Sequence, residues 1–491
     1  MIYWHSLLKI LHNAQRLCEA HFPNRLLMCA LGPHPDRNVF AVPISDRFLL
    51  YAPLHHLAAL VNLTAAQRLR DRLLSGRPVP EGRLDEIARA LDGDAEPTPL
   101  PKQGDFVPPF LGILPTRGCN LACRYCGFLT APESQHVMAP ELARDAVNWY
   151  MDVVSKAGMQ HAEIHYFGGE PFCAEEVLDL TVHLARMRAE EVGCTLRFEV
   201  ATNGAFSEAR CRWAADNLDT IVLSLDGPAD IHDRHRPYKD GRGSFETVER
   251  NARMLSAGPA DLFLRACVTN QTVGRLPEMA AWFCENLRPR GVCFEPLQPS
   301  AASGTIQLEP PDAWDFAYNF IQAAGILESH GVEPVYAAAD IHARRVSFCP
   351  VGQNVAIVSP DGTLSACYLL ERDWEAKGLD LRLGRVEGGH VQLWAEAVAS
   401  ARSLNVHNKP LCARCFCKWH CAGGCHVNHT PAGTPGEYDR LCVQTRTIAL
   451  WNVLKAMGQD DLAHEWLRDR AAVAGSVYRA SDLLLDLEEG L

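Results

Sequence analysis

Nineteen of the 491 residues are cysteines, the side chains with the widest choice of metal and redox chemistry, and they are unevenly spread. Cys119, Cys123 and Cys126 sit in one short stretch, separated by three residues and then by two. That spacing lets three thiolates converge on one metal centre while the loop wraps around it. A tetrahedral zinc wants a fourth protein ligand nearby, whereas a [4Fe–4S] cube accepts three cysteines and leaves one iron for an exogenous ligand. Eight more cysteines fall between Cys349 and Cys442. The order is Cys349, twelve residues, Gly362, four residues, Cys367, a long gap, Cys412-x2-Cys415-x5-Cys421-x3-Cys425, and finally Cys442, with Cys417 inside the tight run. Cys-x2-Cys is zinc grammar as well as cluster grammar, so the spacing of this group leaves both readings open. The other eight (Cys18, Cys29, Cys173, Cys194, Cys211, Cys267, Cys284 and Cys293) stand singly, mostly near apolar neighbours. A free thiol in that setting behaves as a small buried hydrophobe.

The elements that must position these groups divide into regions by composition. Residues 1–96 open on a helical pattern at Leu7–Phe22. Two short runs, Val39–Pro43 and Phe48–Tyr51, meet at Ser45-Asp46-Arg47 and read as a hairpin, followed by a strand-like stretch at His56–Val61. Thr64-x-x-Gln67 reads as a capping box opening a helix through Leu74, and Leu84–Leu91 as a second helix. Pro97, Pro99, Pro101, Pro108 and Pro109 crowd residues 97–109, which are expected to be a semi-rigid linker.

From residue 110 to about 330, strands and helices alternate. The strand candidates are Leu111–Pro115, Ala162–Phe167, Leu196–Ala201, Thr220–Ser224, Leu262–Val268 and Gly291–Glu295. Amphipathic runs lie between them: Glu141–Lys156, Ala174–Val192, Ser207–Asn217, Thr247–Ala257 and Leu276–Leu287, with a helical bridge at Asp312–His330. This alternation implies an α/β fold with a parallel sheet and right-handed crossovers, here a partial (βα)6, TIM-like barrel. Ligands in such folds collect at the C-terminal ends of the strands, and the three-cysteine loop follows the first of them. Residues 331–455 are loop-rich and carry the second cysteine group. Helices are expected at Thr445–Met457 and Asp460–Ala474, the second within a helical tail over 456–491 that closes on an acidic, solvated end at Asp486–Glu489.

Composition bounds the rest. The chain is 47% hydrophobic and 22% charged, ordinary for a globular protein, which excludes wholesale disorder. A net charge of −12 argues against a general nucleic-acid binder. No uninterrupted apolar run is long enough to span a membrane, and Ile2–Leu31 lacks a signal-peptide layout. A cytoplasmic location is therefore expected, where grouped thiols mean metal or catalysis rather than disulfides.

Cys119-x3-Cys123-x-Tyr125-Cys126 after a first barrel strand resembles the signature of the radical S-adenosylmethionine (SAM) superfamily. Tyr166-Phe167-Gly168-Gly169-Glu170-Pro171 is similar to the family motif that holds the amino group of the methionine moiety, with Glu170 the acceptor an ammonium requires. Thr202-Asn203-Gly204 and Ser224-Leu225-Asp226-Gly227 end the next two strands. The resemblance implies that Ser224 contacts the ribose, that Asn203 lines the same cavity, and that Arg236 is a candidate partner for the carboxylate. It also implies the chemistry: a reduced cluster on Cys119, Cys123 and Cys126 cleaves S-adenosylmethionine reductively, and the resulting 5′-deoxyadenosyl radical abstracts hydrogen from an unactivated C–H bond.

The second cysteine group resembles the SPASM extension of radical enzymes that modify peptides and proteins. That resemblance assigns Cys349, Cys367 and Cys425 to one auxiliary [4Fe–4S] cluster and Cys412, Cys415, Cys421 and Cys442 to another, three clusters in all. The first auxiliary cluster then has an open iron or an extra ligand, for which Cys417 is a candidate, with an idle buried thiol as the alternative. In anaerobic sulfatase maturases of this family an aspartate follows the cysteine corresponding to Cys367 and acts as base. Here the residue is Tyr368, a candidate catalytic group whose phenol is a poor base at neutral pH. The layout of residues 1–96, a small winged-helix-like α+β domain, is similar to leader-recognition domains of ribosomal-peptide maturases. It would bind a leader by strand addition, or else serve as a structural or dimerisation cap.

The expected activity is thus that of a radical SAM peptide maturase. It would install a thioether or carbon–carbon crosslink in a ribosomally made precursor with a leader, with flavodoxin or a ferredoxin-type protein as electron donor. A sulfatase-type formylglycine maturase is the enzymatic alternative, and a zinc-stabilised peptide-binding protein the non-enzymatic one.

Overall fold

The computed structural model describes residues 38–130, 136–298, 308–429 and 438–483. The helix expected at Leu7–Phe22, the acidic end at Asp486–Glu489, Cys18 and Cys29 lie outside the described residues. The chain divides into two compact units. One holds Lys102–Tyr336 and Cys349–Leu404; the other holds the described residues up to Pro101, Ala337–Phe348 and the residues from Asn405 onward. The division at Pro101/Lys102 falls inside the proline-rich stretch.

In the smaller unit β1 (Phe40–Ile44), β2 (Arg47–Ala52) and β3 (Leu57–Val61) form an antiparallel meander, with Ser45 in the left-handed region at the first turn. A strand from the far end of the chain, Ser481–Asp482, pairs with β1, so the sheet ahead of the barrel is completed by the C-terminal segment. Ala41, Leu50, Ala59 and Val61 face Leu69 and Leu91 of the two following helices. The first helix, Leu63–Ser75, starts one residue before the expected box. Asn62 is its cap, accepting from Ala65 N at 2.9 Å, because an asparagine in extended conformation satisfies the first free N–H before Thr64 can. The single helix expected at Asp460–Ala474 is two, Asp460–Arg468 and Arg470–Arg479. Asp469 leaves the helical region and its carboxylate caps Ala471 N and Ala472 N, starting the second. Ser476 of that second helix donates to the Pro43 carbonyl of β1 and accepts from Trp466 Nε1 at 2.9 Å.

The larger unit carries β4 (Leu111–Ile113), β5 (His161–Tyr166), β6 (Thr195–Thr202), β7 (Thr220–Ser224), β8 (Asp261–Val268) and β9 (Gly291–Pro296), all parallel and side by side in chain order. The barrel does not close. Beyond β9 the sheet gains parallel β10 (Glu333–Val335), and beyond β4 it gains parallel β11 (Ala356–Val358). Antiparallel β12 (Thr363–Ser365), β13 (Arg382–Glu387) and β14 (His390–Leu393) finish an eleven-stranded sheet. The fold is α/β with an open partial barrel, and the loops after β4 to β7 share the C-terminal end of the sheet. Tyr150 shows how the helical layer is keyed to it: its hydroxyl donates to Pro109 O at 3.0 Å and accepts from Glu163 N at 3.2 Å.

Candidate active site

The three-cysteine loop leaves β4 and is clasped from two sides by backbone. Gly169 N donates to Thr116 O at 3.0 Å and Glu170 N to Gly118 O at 2.7 Å. The approach is so close that a Cβ on Gly168 would lie 2.4 Å from Thr116 O, and one on Gly169 would lie 2.2 Å from Gly118 O. Gly168 also adopts φ 141°, where side chains are strained. These glycines thus serve the seating of the cysteine loop itself. On the other side Ala122 N donates to Pro237 O at 2.8 Å and Arg124 N to His235 O at 2.9 Å, with Leu121 and Tyr238 bridged antiparallel. The loop is laid down along the segment that follows β7.

Asn203, at the tip of β6, reaches the first cysteine. Its Nδ2 lies 3.5 Å from Cys119 Sγ and donates to Asn120 Oδ1 at 2.8 Å. Glu170 is 1% exposed. Its carboxylate accepts from Asn203 N at 2.6 Å, Thr202 Oγ1 at 2.7 Å and Phe172 N at 3.1 Å. Burial outweighs these donors and pushes the carboxyl up to about 7. Pro171 opens the turn that aims Phe172 N at it. Ser224 is half-buried at the end of β7.

Sequence reasoning missed the network that fixes the aromatic position. Tyr125 donates to Asp226 Oδ2 at 2.6 Å and accepts from Arg236 Nη1 at 2.5 Å. Asp226 is fully buried, accepts from Cys267 N at 3.0 Å, and has His235 Nδ1 at 3.4 Å and Arg236 Nη1 at 3.8 Å. Burial pushes its carboxyl up, but Arg236 and His235 win and hold it at about 2. The carboxylate beside Arg236 is therefore one of the chain's own, although Nε of Arg236 has no partner among the described residues. His232 carries the clasp further: Asp226 N donates to Nδ1 at 3.3 Å, so Nε2 bears the proton towards Ser244 Oγ at 3.0 Å, and Ser244 donates to Arg236 O at 2.6 Å. Burial pushes His232 down to about 3, so it stays neutral. The Ser224-Leu225-Asp226-Gly227 motif contained this signal, because a carboxylate at a strand's end must find a cation or donors.

Burial likewise pushes the Cys119 and Cys123 thiols up to about 12. They need a metal to become thiolates, and loading one releases protons. A tetrahedral zinc requires ligand sulfurs about 3.8 Å apart. Among the described residues only His429, Asp439 and Cys442 bring three ligand atoms within 4.8 Å of one another. The His429–Asp439–Cys442 trio is explained by hydrogen bonding: Asp439 caps the helix Arg440–Ala456 through Cys442 N at 2.8 Å and receives His429 Nδ1 at 2.6 Å. His429 Nε2 lies 3.6 Å from Cys442 Sγ, and its ring fills the place where a Cβ on Gly424 would stand.

Cys412, Cys415, Cys421 and Cys442 share the smaller unit, and after burial their mutual charges are what raise Cys412 and Cys442. The chain reverses after Cys421 through Ala422, Gly423 and Gly424, all in the left-handed region, which is what a three-residue gap before Cys425 demands. Cys415 differs from its neighbours: the Cys417 thiol donates to it and Arg446 stands beside it, and together they lower it against burial. Cys417, buried and pushed up, is the donor of that pair. Cys417→Ala is accordingly expected to keep the wild-type iron content; a loss of iron would make Cys417 a ligand. Cys349 and Cys367 belong to the larger unit, Cys425 to the smaller.

Tyr368 is 4% exposed, edge-on to Phe167 at 5.0 Å between centroids, and its hydroxyl occupies the space left by the missing side chain of Gly112 on β4. Burial, then the charge of Glu199, raises the phenol well above its ordinary value.

Residues 113–275, from β4 through β8, match the radical SAM superfamily. The chain carries a radical SAM domain, and it is an enzyme. It is 26% identical over 353 residues to a serine-type anaerobic sulfatase-maturating enzyme of Klebsiella aerogenes, covering 66% of this chain and 80% of the relative. It is 25% identical over 334 residues to a cysteine-type anaerobic sulfatase-maturating enzyme of Clostridium perfringens strain 13, covering 63% and 86%. The solved structure of anSMEcpe with bound AdoMet and Cp18Cys peptide superposes with a TM-score of 0.56, covering 72% of this chain and 99% of that one at 18% identity, a likeness of fold. Among the described residues no helix of this radical SAM chain is long and apolar enough to cross a membrane.

Proposed function

We propose that this radical SAM enzyme is a peptide maturase that abstracts hydrogen from a ribosomally made precursor and installs a thioether or carbon–carbon crosslink. The observation that carries the reading is the interlock of the three-cysteine loop with Gly168, Gly169, Glu170 and Asn203, which gathers a cluster loop and a carboxylate at one end of the barrel. When bound, cluster and AdoMet supply the electron transfer that yields methionine and a 5′-deoxyadenosyl radical. The chain's part is positional. Cys119, Cys123 and Cys126 would hold the cluster, Glu170 would take the ammonium, and Ser224 the ribose. Cys412, Cys415, Cys421 and Cys442 would hold one auxiliary [4Fe–4S] cluster, and Cys349 and Cys367 would contribute to the other.

A peptide substrate is supported by the names of the relatives, which mature sulfatases, and by the open edge of β3. Among the described residues β3 pairs with β2 alone, so an extended leader has a row of backbone groups to add to. The reading places the enzyme in the cytoplasm with a flavodoxin or ferredoxin-type donor. A formylglycine maturase is the second reading, favoured by the two relatives. Against it stands Tyr368, too buried and too weakly acidic for a base. Tyr368→Phe is expected to keep AdoMet cleavage and peptide modification within about threefold of wild type; a loss of a hundredfold or more, the usual size of a general-base effect, would restore a catalytic role.

Anaerobic co-expression with each short reading frame beside the gene, read by tandem mass spectrometry, tests the function. A peptide lighter by two hydrogens, formed only when its leader is present, is the expected product. An unmodified peptide together with formylglycine in a co-expressed sulfatase would establish the alternative, and a colourless zinc protein would refute both.

A further inference from the structure

We propose that Arg446 sets the reduction potential of the iron–sulfur cluster held by Cys412, Cys415, Cys421 and Cys442, by a charge-assisted hydrogen bond to the Cys415 sulfur. The inference rests on the ligation given under the proposed function and adds a residue that lies outside the cysteine pattern. Arg446 is 1% exposed, one turn beyond Cys442 on the helix Arg440–Ala456. A guanidinium taken fully out of water needs an anion or a full set of acceptors. Among the described residues no carboxylate lies within ion-pair distance of it. Instead Nη1 lies 2.8 Å from Cys415 Sγ, and Nε donates to Val477 O at 2.9 Å. The cation is held in a sandwich, its central carbon 4.4 Å from the Phe416 ring centroid and 4.1 Å from that of Tyr438. Such a pair of ring faces fixes the plane of the fork and leaves its end aimed at the sulfur. The second end nitrogen, Nη2, is buried and has no hydrogen-bond partner among the described residues. A cluster with its thiolates is an anion with sulfide acceptors, and it supplies both the charge and the acceptor this fork lacks.

The physical consequence has a definite sign. One-electron reduction makes the cluster more negative, so a fixed cation and a hydrogen bond on a ligand sulfur stabilise the reduced state and raise the potential. Lysine keeps the charge but not the fork, and glutamine keeps neither.

The test is an EPR-monitored redox titration of the full-length, anaerobically purified protein in a background carrying Cys119→Ala, Cys123→Ala and Cys126→Ala, so that only auxiliary clusters report. In Arg446→Gln one of the two auxiliary signals is expected to move to lower potential by at least a tenfold change in the reduced-to-oxidised ratio, about 59 mV for one electron, while the other stays. Arg446→Lys should recover most of the shift. Should Arg446→Gln lose about four irons, recovery of that iron in Arg446→Lys supports the charge role. Equal iron loss in both variants, or full iron with both potentials unmoved, overturns it. Zinc in place of iron, or a background protein with only about four irons, would instead fail the underlying ligation before any Arg446 variant is made.

Discussion

Replacing Cys119, Cys123 and Cys126 together with alanine will abolish reductive cleavage of AdoMet and leave a brown protein with about eight of about twelve irons, if each of three sites is a four-iron cluster. The loss of activity should be complete, because no other group in the loop can carry an electron. The fold should survive. The loop is seated by backbone bonds, from Gly169 N to Thr116 O, Glu170 N to Gly118 O, Ala122 N to Pro237 O and Arg124 N to His235 O, and none of them uses a thiol. Only Cys123 is buried, and trimming one sulfur there costs about 1 kcal/mol. Iron and sulfide quantitation, circular dichroism and detection of 5′-deoxyadenosine together check the claim. Residual 5′-deoxyadenosine, or iron equal to the wild type, would show that the cluster lies elsewhere.

That the site could be read so far from the chain alone has a physical reason. The motifs fall at strand ends, and strand ends of a parallel sheet are set by short-range alternation; β7 runs Thr220–Ser224 as the pattern indicated. Elements defined by local caps were nearly as legible. Ser207 and Asp312 cap the helices that follow them, although Asn62 displaced the expected Thr64 because both start signals lie within one turn. Contacts between distant segments were not legible. Nothing local in Ser481–Asp482 announces that it pairs with Phe40 and Ala41 some 440 residues earlier, since a two-residue strand carries no alternation to detect.

The same limit explains what the motifs hid. The close approach that Gly168 and Gly169 permit is made by atoms of the cysteine loop, some fifty residues earlier in sequence. Arg236 signalled a carboxylate, and the nearest one is Asp226, whose own partners come from the cysteine loop (Tyr125) and from β8 (Cys267). Arg446 lies in a helix whose sequence pattern carries no sign of its burial against Cys415. Spacing reveals which groups act together on one ligand. It is silent about the groups that neutralise or orient them, because those are recruited through space.

Glu170 is where that distinction has the largest consequence. Glu170→Gln is expected to weaken AdoMet binding at least a hundredfold, about 2.7 kcal/mol, and to lower the melting temperature of the ligand-free protein by a few degrees. Both carboxylate oxygens already accept hydrogen bonds, Oε1 from Thr202 and Phe172 and Oε2 from Asn203. Above pH 7, where the carboxyl is ionised, an amide turns one acceptor into a donor, so at least one buried N–H or O–H faces another donor, in addition to the charge withdrawn from the ammonium. The pH dependence has a calculable sign. Burial holds the ligand-free carboxyl near 7, above its ordinary 4.5. Its contribution to stability is therefore full below the unfolded value and lost as pH rises through about 7. An ammonium beside it favours the charged form, so AdoMet binding should release a proton below pH 7 and tighten about tenfold per unit up to that point, then level off. Calorimetry in buffers of different ionisation enthalpy, run from pH 6 to pH 8, reads both the proton and the affinity. In Glu170→Gln the slope should vanish along with the tight binding. An unchanged affinity would assign Glu170 to holding the tips of β5 and β6 together and give the ammonium to another acceptor, while a wild-type affinity independent of pH would place the ligand's charge away from this carboxylate altogether.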